Sequence, residues 1–194
     1  MTSFLSETAI YVGRIREFRR IDWWVYLAWV GLMLGLVAST TGFLWVGRAH
    51  DAPLPTEALM VPIGAGIFAV SIAIDTIGHR TIYRLEIAKA EALVHHITIF
   101  CGIGSSVLLC AAYSVPALWI PAMVLTALSF FYSIVDEFFH WRRYVQHHAD
   151  RVEMTSHVGI LIGHSTMMLG WWVWYFGGYQ GVAETVAHLP GLGA

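Results

Sequence analysis

The sequence predicts an all-α integral membrane protein, a bundle of five transmembrane helices in one membrane domain, 1–194. Hydrophobic residues make up 57% of the chain and charged residues only 12%, and the mean hydropathy is +0.63. Soluble domains have a much more polar composition. Five segments also reach the length of about 20 mainly apolar residues that crosses a bilayer. They are 22–47, 57–84, 90–113, 116–141 and 152–179.

Each predicted helix is justified by an apolar run inside it. Residues 23–46, 58–74 and 117–135 contain no charged residue. Residues 92–113 and 154–179 contain no ionisable group apart from histidines, cysteines and tyrosines. Uninterrupted runs of this length indicate helices that cross a membrane rather than helices of a soluble core.

Basic residues are concentrated on one side of the predicted bundle. Of the 11 lysine and arginine residues, only Arg48 falls on the opposite side. The others are Arg14, Arg16, Arg19, Arg20, Arg80, Arg84, Lys89, Arg142, Arg143 and Arg151. The positive-inside rule therefore predicts a cytoplasmic N-terminus and an external C-terminus. The expected location is a bacterial inner membrane.

The two ends of the chain are predicted to lie at the membrane surface. Residues 1–21 are interpreted as a basic interfacial segment in which Tyr11 and other apolar residues face lipid, and 180–194 as a loose outer tail. Aromatic residues near the helix ends are interpreted as interfacial belts. The outer belt is Trp171, Trp172, Trp174, Tyr175 and Tyr179, and the inner belt is Trp23, Trp24 and Tyr26.

Four of the five helices carry acids and histidines near their cytoplasmic ends. Spacings of three or four residues place an acid and a histidine on the same helix face. Ionisable groups inside a membrane are costly and indicate a functional site. The predicted metal ligands are Asp75, His79, Glu91, His95, His96, Asp136, Glu137, His140, His147, His148, Glu153, His157 and His164. His164 is expected about 10 Å deeper than His157.

This supply of ligands fits two metal ions better than one. Imidazole and carboxylate together suit Fe, Cu, Mn or Zn, and the predicted cofactor is a pair of transition-metal ions, with iron favoured. Asp136 and Glu137 are about 100° apart on one helix. Asp136 shares the stripe of His140 and is favoured as the ligand. A proton relay, a pH sensor or plain juxtamembrane polarity is the alternative role for these residues.

The pattern resembles, in chemical style, the integral-membrane di-iron hydroxylases and desaturases, although the HxxxH and HxxHH boxes of those enzymes do not occur. The segment from Glu137 to His140 is similar to the ExxH of ferritin-like di-iron proteins, which use two copies. The spacings Asp75/His79 and Asp136/His140 are similar to a copper site of membrane copper monooxygenases. The resemblance implies an oxidoreductase that uses O₂ on a lipid-soluble substrate, by hydroxylation or desaturation.

Several partners and two rival functions follow from the same residues. A separate electron donor is expected because the chain lacks a Rossmann glycine pattern and a CxxC pair. Membrane lipids and a hydrophobic substrate are the other expected partners, and no nucleic acid is expected.

A metal or proton transporter would need polar residues that continue across the membrane. A haem-binding subunit of a redox complex would use the histidines as axial ligands.

Overall fold

The computed structural model describes residues 3–84, 89–147 and 151–189, without the side chains of Arg143, Gln146 and His147. These parts of the chain form helices and turns and contain no strand, which confirms the predicted all-α fold. The helices are α1 (Phe4–Gly13), α2 (Arg20–Ala49), α3 (Met60–Thr81), α4 (Lys89–Ala112), α5 (Trp119–His147), α6 (Arg151–Phe176) and α7 (Val182–Ala187). Single 3-10 turns at Arg14–Glu17, Thr56–Leu59 and Pro116–Leu118 precede α2, α3 and α5.

Four helices are long and apolar enough to cross a membrane. They are α2, α3 with its preceding turn (Thr56–Thr81), α4, and the turn and helix Pro116–Arg142. Large hydrophobic side chains on them are exposed, as on a lipid-facing surface, and Trp24 (74% exposed) and Phe100 (71%) are examples. Helix α6 is not among them, because its histidines and tryptophans make it less apolar than the other long helices.

The long helices pack as two groups. One group contains α2, α3 and α6, and the other contains α4 and α5. Helices α3 and α6 approach closely because Gly64 and Gly163 face each other, and a Cβ at either glycine would collide with the backbone of the other helix. Helix α5 touches α6 at only a few positions. Side chains at the ends of the helices therefore have a large part in joining the groups.

The predicted outer aromatic belt is a buried core, which corrects the interfacial interpretation. Trp171, Trp172, Trp174 and Tyr179 are at most 8% exposed and pack with Leu44 and other buried residues of several helices. We call this region the aromatic end. An aromatic run beside a membrane surface has the same sequence pattern whether it faces lipid or protein, so the pattern alone did not separate the two.

Two terminal segments also differ from the prediction. Tyr11 of α1 is 1% exposed and contacts Gly78 of α3, so it does not face lipid. The segment after α6 is not a loose tail as far as the structure describes it, because α7 packs against α2 and buries Thr185 completely. Helix α6 ends where Gly178 and Tyr179 adopt left-handed backbone conformations, which turns the chain back toward the bundle.

Candidate metal centre

Nine of the predicted ligands meet where the two helix groups face each other, at the end of the bundle opposite the aromatic end. We call them the acid–histidine cluster. Helices α3 and α6 contribute four of them, and α4 and α5 contribute five. The members are Asp75, His79, Glu91, His95, Asp136, Glu137, His140, Glu153 and His157, linked by contacts of 2.9–4.0 Å.

Every histidine of the cluster directs Nδ1 at an acidic residue. His95 Nδ1 lies 3.0 Å from Asp136 Oδ1. The other three histidines follow the same rule. Those contacts are His140 to Glu153 at 3.0 Å, His157 to Glu137 at 2.9 Å, and His79 to both the side-chain and the carbonyl oxygen of Asp75 at 3.2 Å.

These contacts assign the tautomer of each ring. An ionised carboxylate and a carbonyl oxygen only accept, so each Nδ1 carries a proton and donates it. The lone pair of a neutral ring then resides on Nε2. Metal-binding histidines commonly have this arrangement, with the second ring nitrogen bound to a carboxylate or carbonyl oxygen.

The Nε2 atoms of His79, His140 and His157 lie near further carboxylates. Glu91 Oε1 lies 4.0 Å from His79 Nε2 and 3.8 Å from His140 Nε2. His157 Nε2 lies 2.9 Å from Asp75 Oδ1, but the two atoms are not aligned as a hydrogen bond. The buried Nε2 atoms of His79 and His157 have no hydrogen-bond partner among the described residues. Buried nitrogens in this state are costly unless something binds them.

Two overlapping groups of ligand atoms could each hold a metal ion. The ligand atoms of His79, His95 and His140 lie within 4.8 Å of one another, and so do those of Asp136, His140 and His157. Donor atoms bound about 2.1 Å from one ion lie about 3.0–3.4 Å apart. Small side-chain movements would therefore close either group around an ion. Because Nδ1 of His140 is bonded to Glu153, His140 has only Nε2 left as a metal ligand. It can therefore belong to only one of the two groups at a time.

The remaining predicted ligands are not brought into the cluster. His96 is exposed, and its Nδ1 contacts the carbonyl oxygen of Ala92. His164 is 5% exposed and is stacked between Phe68 and Phe130, and its Nε2 has no hydrogen-bond partner in the described parts of the chain. His148 lies outside the described residues, as does the side chain of His147.

Two cavities adjoin the cluster. The cluster cavity, about 410 Å³, is bordered by Asp75, His79, His95, Asp136 and His157, among others. The apolar cavity, about 170 Å³, continues toward the aromatic end and is lined mainly by aliphatic and aromatic side chains, with His164 at its wall. The two cavities share wall residues, so the cluster has an apolar space next to it on the membrane side.

An ion-pair group beside the cluster was missed from the sequence. Asp22 is completely buried at the start of α2 and lies 3.0 Å from Arg19, 2.9 Å from Arg84 and 3.8 Å from Arg80. The hydrogen bond to Asp22 raises the pKa of Arg19. A carboxylate at the membrane border within an arginine-rich stretch was the available signal. Its partners on α3 are set by helix packing, which the sequence does not display.

Comparisons with known proteins identify no relative of this chain: no protein-family model, no curated protein and no solved structure matches it.

Proposed function

We propose that the protein is a membrane-embedded oxidoreductase whose acid–histidine cluster binds two transition-metal ions, with iron favoured. The observation that carries the proposal is the shared pattern of the four histidines, each with Nδ1 on an oxygen of an acidic residue, while the Nε2 atoms of three of them lie near further carboxylates. A surface group of acids and histidines has no reason to adopt one orientation four times. Ligands of a metal centre do, because the metal needs the lone pair of each ring.

The residues divide into two sets of ligands. His79, His95 and Glu91 would hold one ion, while His157, Asp75 and Asp136 would hold the other, with His140 completing one of the sets. Mixed imidazole and carboxylate ligands suit iron, and also manganese, zinc and copper. Glu137 and Glu153 would act from behind the ligands, by fixing the rings of His157 and His140.

The proposed reaction is the hydroxylation or desaturation of a lipid-soluble substrate with O₂. When bound by these residues, the metal pair would supply the activation of O₂. In hydroxylation one oxygen atom enters a C–H bond of the substrate and the other leaves as water, while a separate donor supplies two electrons and the solvent two protons. The apolar cavity beside the cluster supports a hydrocarbon substrate, since it would exclude water from the reacting carbon.

The two rival functions have less support. A transporter needs polar groups beyond the cluster, but among the described residues His164 is the only titratable side chain that lines the apolar cavity. A haem needs open space between its axial ligands, whereas the ring centroids of His140 and His157 are only 3.7 Å apart.

Metal content is the direct test. The protein purified in mild detergent should carry close to two iron ions per chain by elemental analysis, and its absorption spectrum should lack a Soret band. His140→Ala should lower the metal content sharply, because His140 is completely buried at the centre of the cluster. His188→Ala is the matched control, since His188 is exposed and stacks on His50, outside the cluster. Metal-free wild-type protein, or full occupancy in His140→Ala, would refute the proposal.

The proposal includes five membrane-spanning helices, α2 to α6, with the cluster on the cytoplasmic side. Cysteine labelling tests it after Cys101 and Cys110 are replaced by alanine. In that background, an impermeant maleimide added to intact cells should label Ala183→Cys on α7 and should leave Lys89→Cys on α4 unlabelled. Both positions are exposed in the isolated chain. The opposite labelling pattern would place the cluster at the outer surface. Equal labelling would place both cysteines on the same side of the membrane, which would contradict the three proposed spans between them.

A further inference from the structure

The cluster cavity has a second polar wall, formed by Arg19, Arg80 and Arg84. These three guanidinium groups share one carboxylate, that of Asp22. Their formal charges leave two positive charges uncompensated by that carboxylate. An anion is therefore the complementary partner for this wall.

Arg80 has the most unused donors of the three. Arg19 and Arg84 donate to Asp22, and Arg84 also donates to the carbonyl oxygen of Arg80. The Arg80 guanidinium lies 3.8 Å from Asp22, beyond hydrogen-bonding distance, and 35% of its side chain is exposed. A guanidinium group has five N–H donors in a planar fork, and that fork matches a carboxylate or a phosphate.

The apolar cavity runs away from this wall, on the far side of the cluster. Ile160 of α6 lines both cavities, and Met167 lines the apolar cavity only. Seven residues of helix separate them, which is about 10 Å along α6. The hydroxyls of Thr98 and Ser106 in its wall already donate to carbonyl oxygens of their own helix. Apart from Ser133 and His164, the remaining described residues of the wall are apolar, which suits a hydrocarbon chain.

The side between α2 and α4 offers a path from the bilayer. Helix α2 packs against α3 and α7, and α4 packs against α5. Within the described ranges, α2 and α4 have no extended packing against each other, although both line the apolar cavity. A molecule dissolved in the membrane could therefore enter sideways, with its polar end remaining at the level of the arginines.

Resting on the proposed function, we infer that the substrate is a single-chain amphiphile with an anionic head, in particular a long-chain carboxylate. The head binds Arg80, the carbons near the head lie beside the cluster, and the tail lies in the apolar cavity. An anionic phospholipid shares the head chemistry. However, a cavity of about 170 Å³ accommodates one slender chain better than two, which favours the free carboxylate.

Photo-crosslinking of a fatty acid tests this inference without turnover. The protein is placed in phosphatidylcholine nanodiscs with palmitate that carries a diazirine near its tail, and labelled peptides are identified by mass spectrometry. Label is expected on the parts of α4 and α6 that line the apolar cavity. Excess palmitate should compete, whereas methyl palmitate and phosphatidylglycerol should compete poorly. Competition by phosphatidylglycerol as strong as by palmitate would overturn the inference in favour of a lipid headgroup site.

Matched variants separate the head site from the tail site. Arg80→Gln should lower labelling about 10-fold or more, since it removes a charge-assisted pair worth roughly one decade of affinity. Arg142→Gln removes an exposed arginine that does not line the cavity and should have no effect. Gly102→Leu should block the tail site, whereas Gly35→Leu on the exposed side of α2 should not, and both glycines have room for a Cβ.

Two results would overturn the inference. One is labelling that Arg80→Gln leaves unchanged, and the other is equal labelling by a diazirine derivative of methyl palmitate. Metal content is measured on the same preparations. Full metal with failed labelling refutes the substrate class alone, whereas absent metal with successful labelling refutes the proposed function and leaves the amphiphile site standing.

Discussion

The two ends of the bundle both bury polar side chains, but they satisfy them differently. At the aromatic end, Trp171 donates to the hydroxyl of Tyr179, which in turn donates to the carbonyl oxygen of Leu109. Trp172 and Trp174 also donate to neutral oxygens of the protein. At the cluster end, ring nitrogens and carboxylates converge, and the buried Nε2 atoms of His79 and His157 lack a hydrogen-bond partner among the described residues.

This difference supports the proposal that the buried polar groups at the two ends have different roles. A buried neutral donor that is hydrogen-bonded to a neutral acceptor is already satisfied, so it needs no ligand. A converging set of acids and imidazoles is costly by itself in a membrane and becomes favourable when a cation joins it. The aromatic end should therefore determine stability, while the cluster end should determine what the protein binds.

The largest expected effect is a loss of stability at the aromatic end. Trp171 is 4% exposed and packs in the core of that end, so Trp171→Ala should cost about 3–5 kcal/mol, the usual cost of removing a buried aromatic side chain. Thermal unfolding followed by circular dichroism in detergent measures the loss. The metal content of the fraction that remains folded should equal that of the wild type. Loss of metal without loss of stability would contradict the division between the two ends.

The second prediction concerns two adjacent acids of the cluster end. Glu137 fixes His157 through Nδ1, so Glu137→Gln should weaken metal binding about 10- to 100-fold, as removal of a residue that orients a ligand does. Asp136 contacts His95 and lies 3.7 Å from His140 Nε2, and Asp136→Asn should cost more. Competition with a chelator measures both affinities.

The exposed Glu184 of α7 provides the control for these acids, as Glu184→Gln. A greater loss with Glu137→Gln than with Asp136→Asn would exchange the two roles. Unchanged affinity in both variants would mean that neither acid contributes to the proposed metal centre.

The helix faces were predictable from the sequence, but the partners across them were not. An acid and a histidine three or four residues apart must share a face, and the predicted groups do meet. Yet His140 pairs through Nδ1 with Glu153, and His157 with Glu137, on neighbouring helices. Only His79 keeps the acid of its own helix at Nδ1. Partner choice depends on helix rotation and separation, and these arise from close packing such as that between α3 and α6.

The sequence also did not predict which of these side chains are buried in protein. The tryptophans of α6 match both a lipid-facing belt and a protein core, because both environments favour large amphipathic rings. Asp22 illustrates the same limit for a charge. Its burial depends on Arg80 and Arg84, which follow it by about sixty residues and come close only when α2 and α3 pack together.

The third prediction is a smaller change at the aromatic end. Tyr179→Phe removes a hydroxyl that donates to Leu109 and accepts from Trp171. The substitution leaves the indole N–H of Trp171 without an acceptor and the carbonyl oxygen of Leu109 without this donor. The free energy of unfolding should therefore fall by about 1–3 kcal/mol. Tyr179 also adopts a left-handed backbone conformation, which such contacts help to maintain. Tyr132→Phe, at a half-buried tyrosine of α5, is the control. An unchanged melting temperature would show that these hydrogen bonds do not stabilise the end.

The smallest expected effect lies at the surface beside the cluster end. Arg151 of α6 lies 2.6 Å from Glu7 of α1, and their side chains are 49% and 26% exposed. Exposed ion pairs contribute about 0–1 kcal/mol and weaken with salt. Glu7→Gln should therefore change the melting temperature slightly at low salt and not at high salt, with unchanged metal content.

Because Arg151 stands only two residues before Glu153, this variant also tests whether a charge near the cluster affects metal binding without belonging to the cluster. A loss of metal in Glu7→Gln comparable to that in Glu137→Gln would mean that α1 shapes the proposed metal centre. The cluster end would then extend beyond the four helices that carry its ligands.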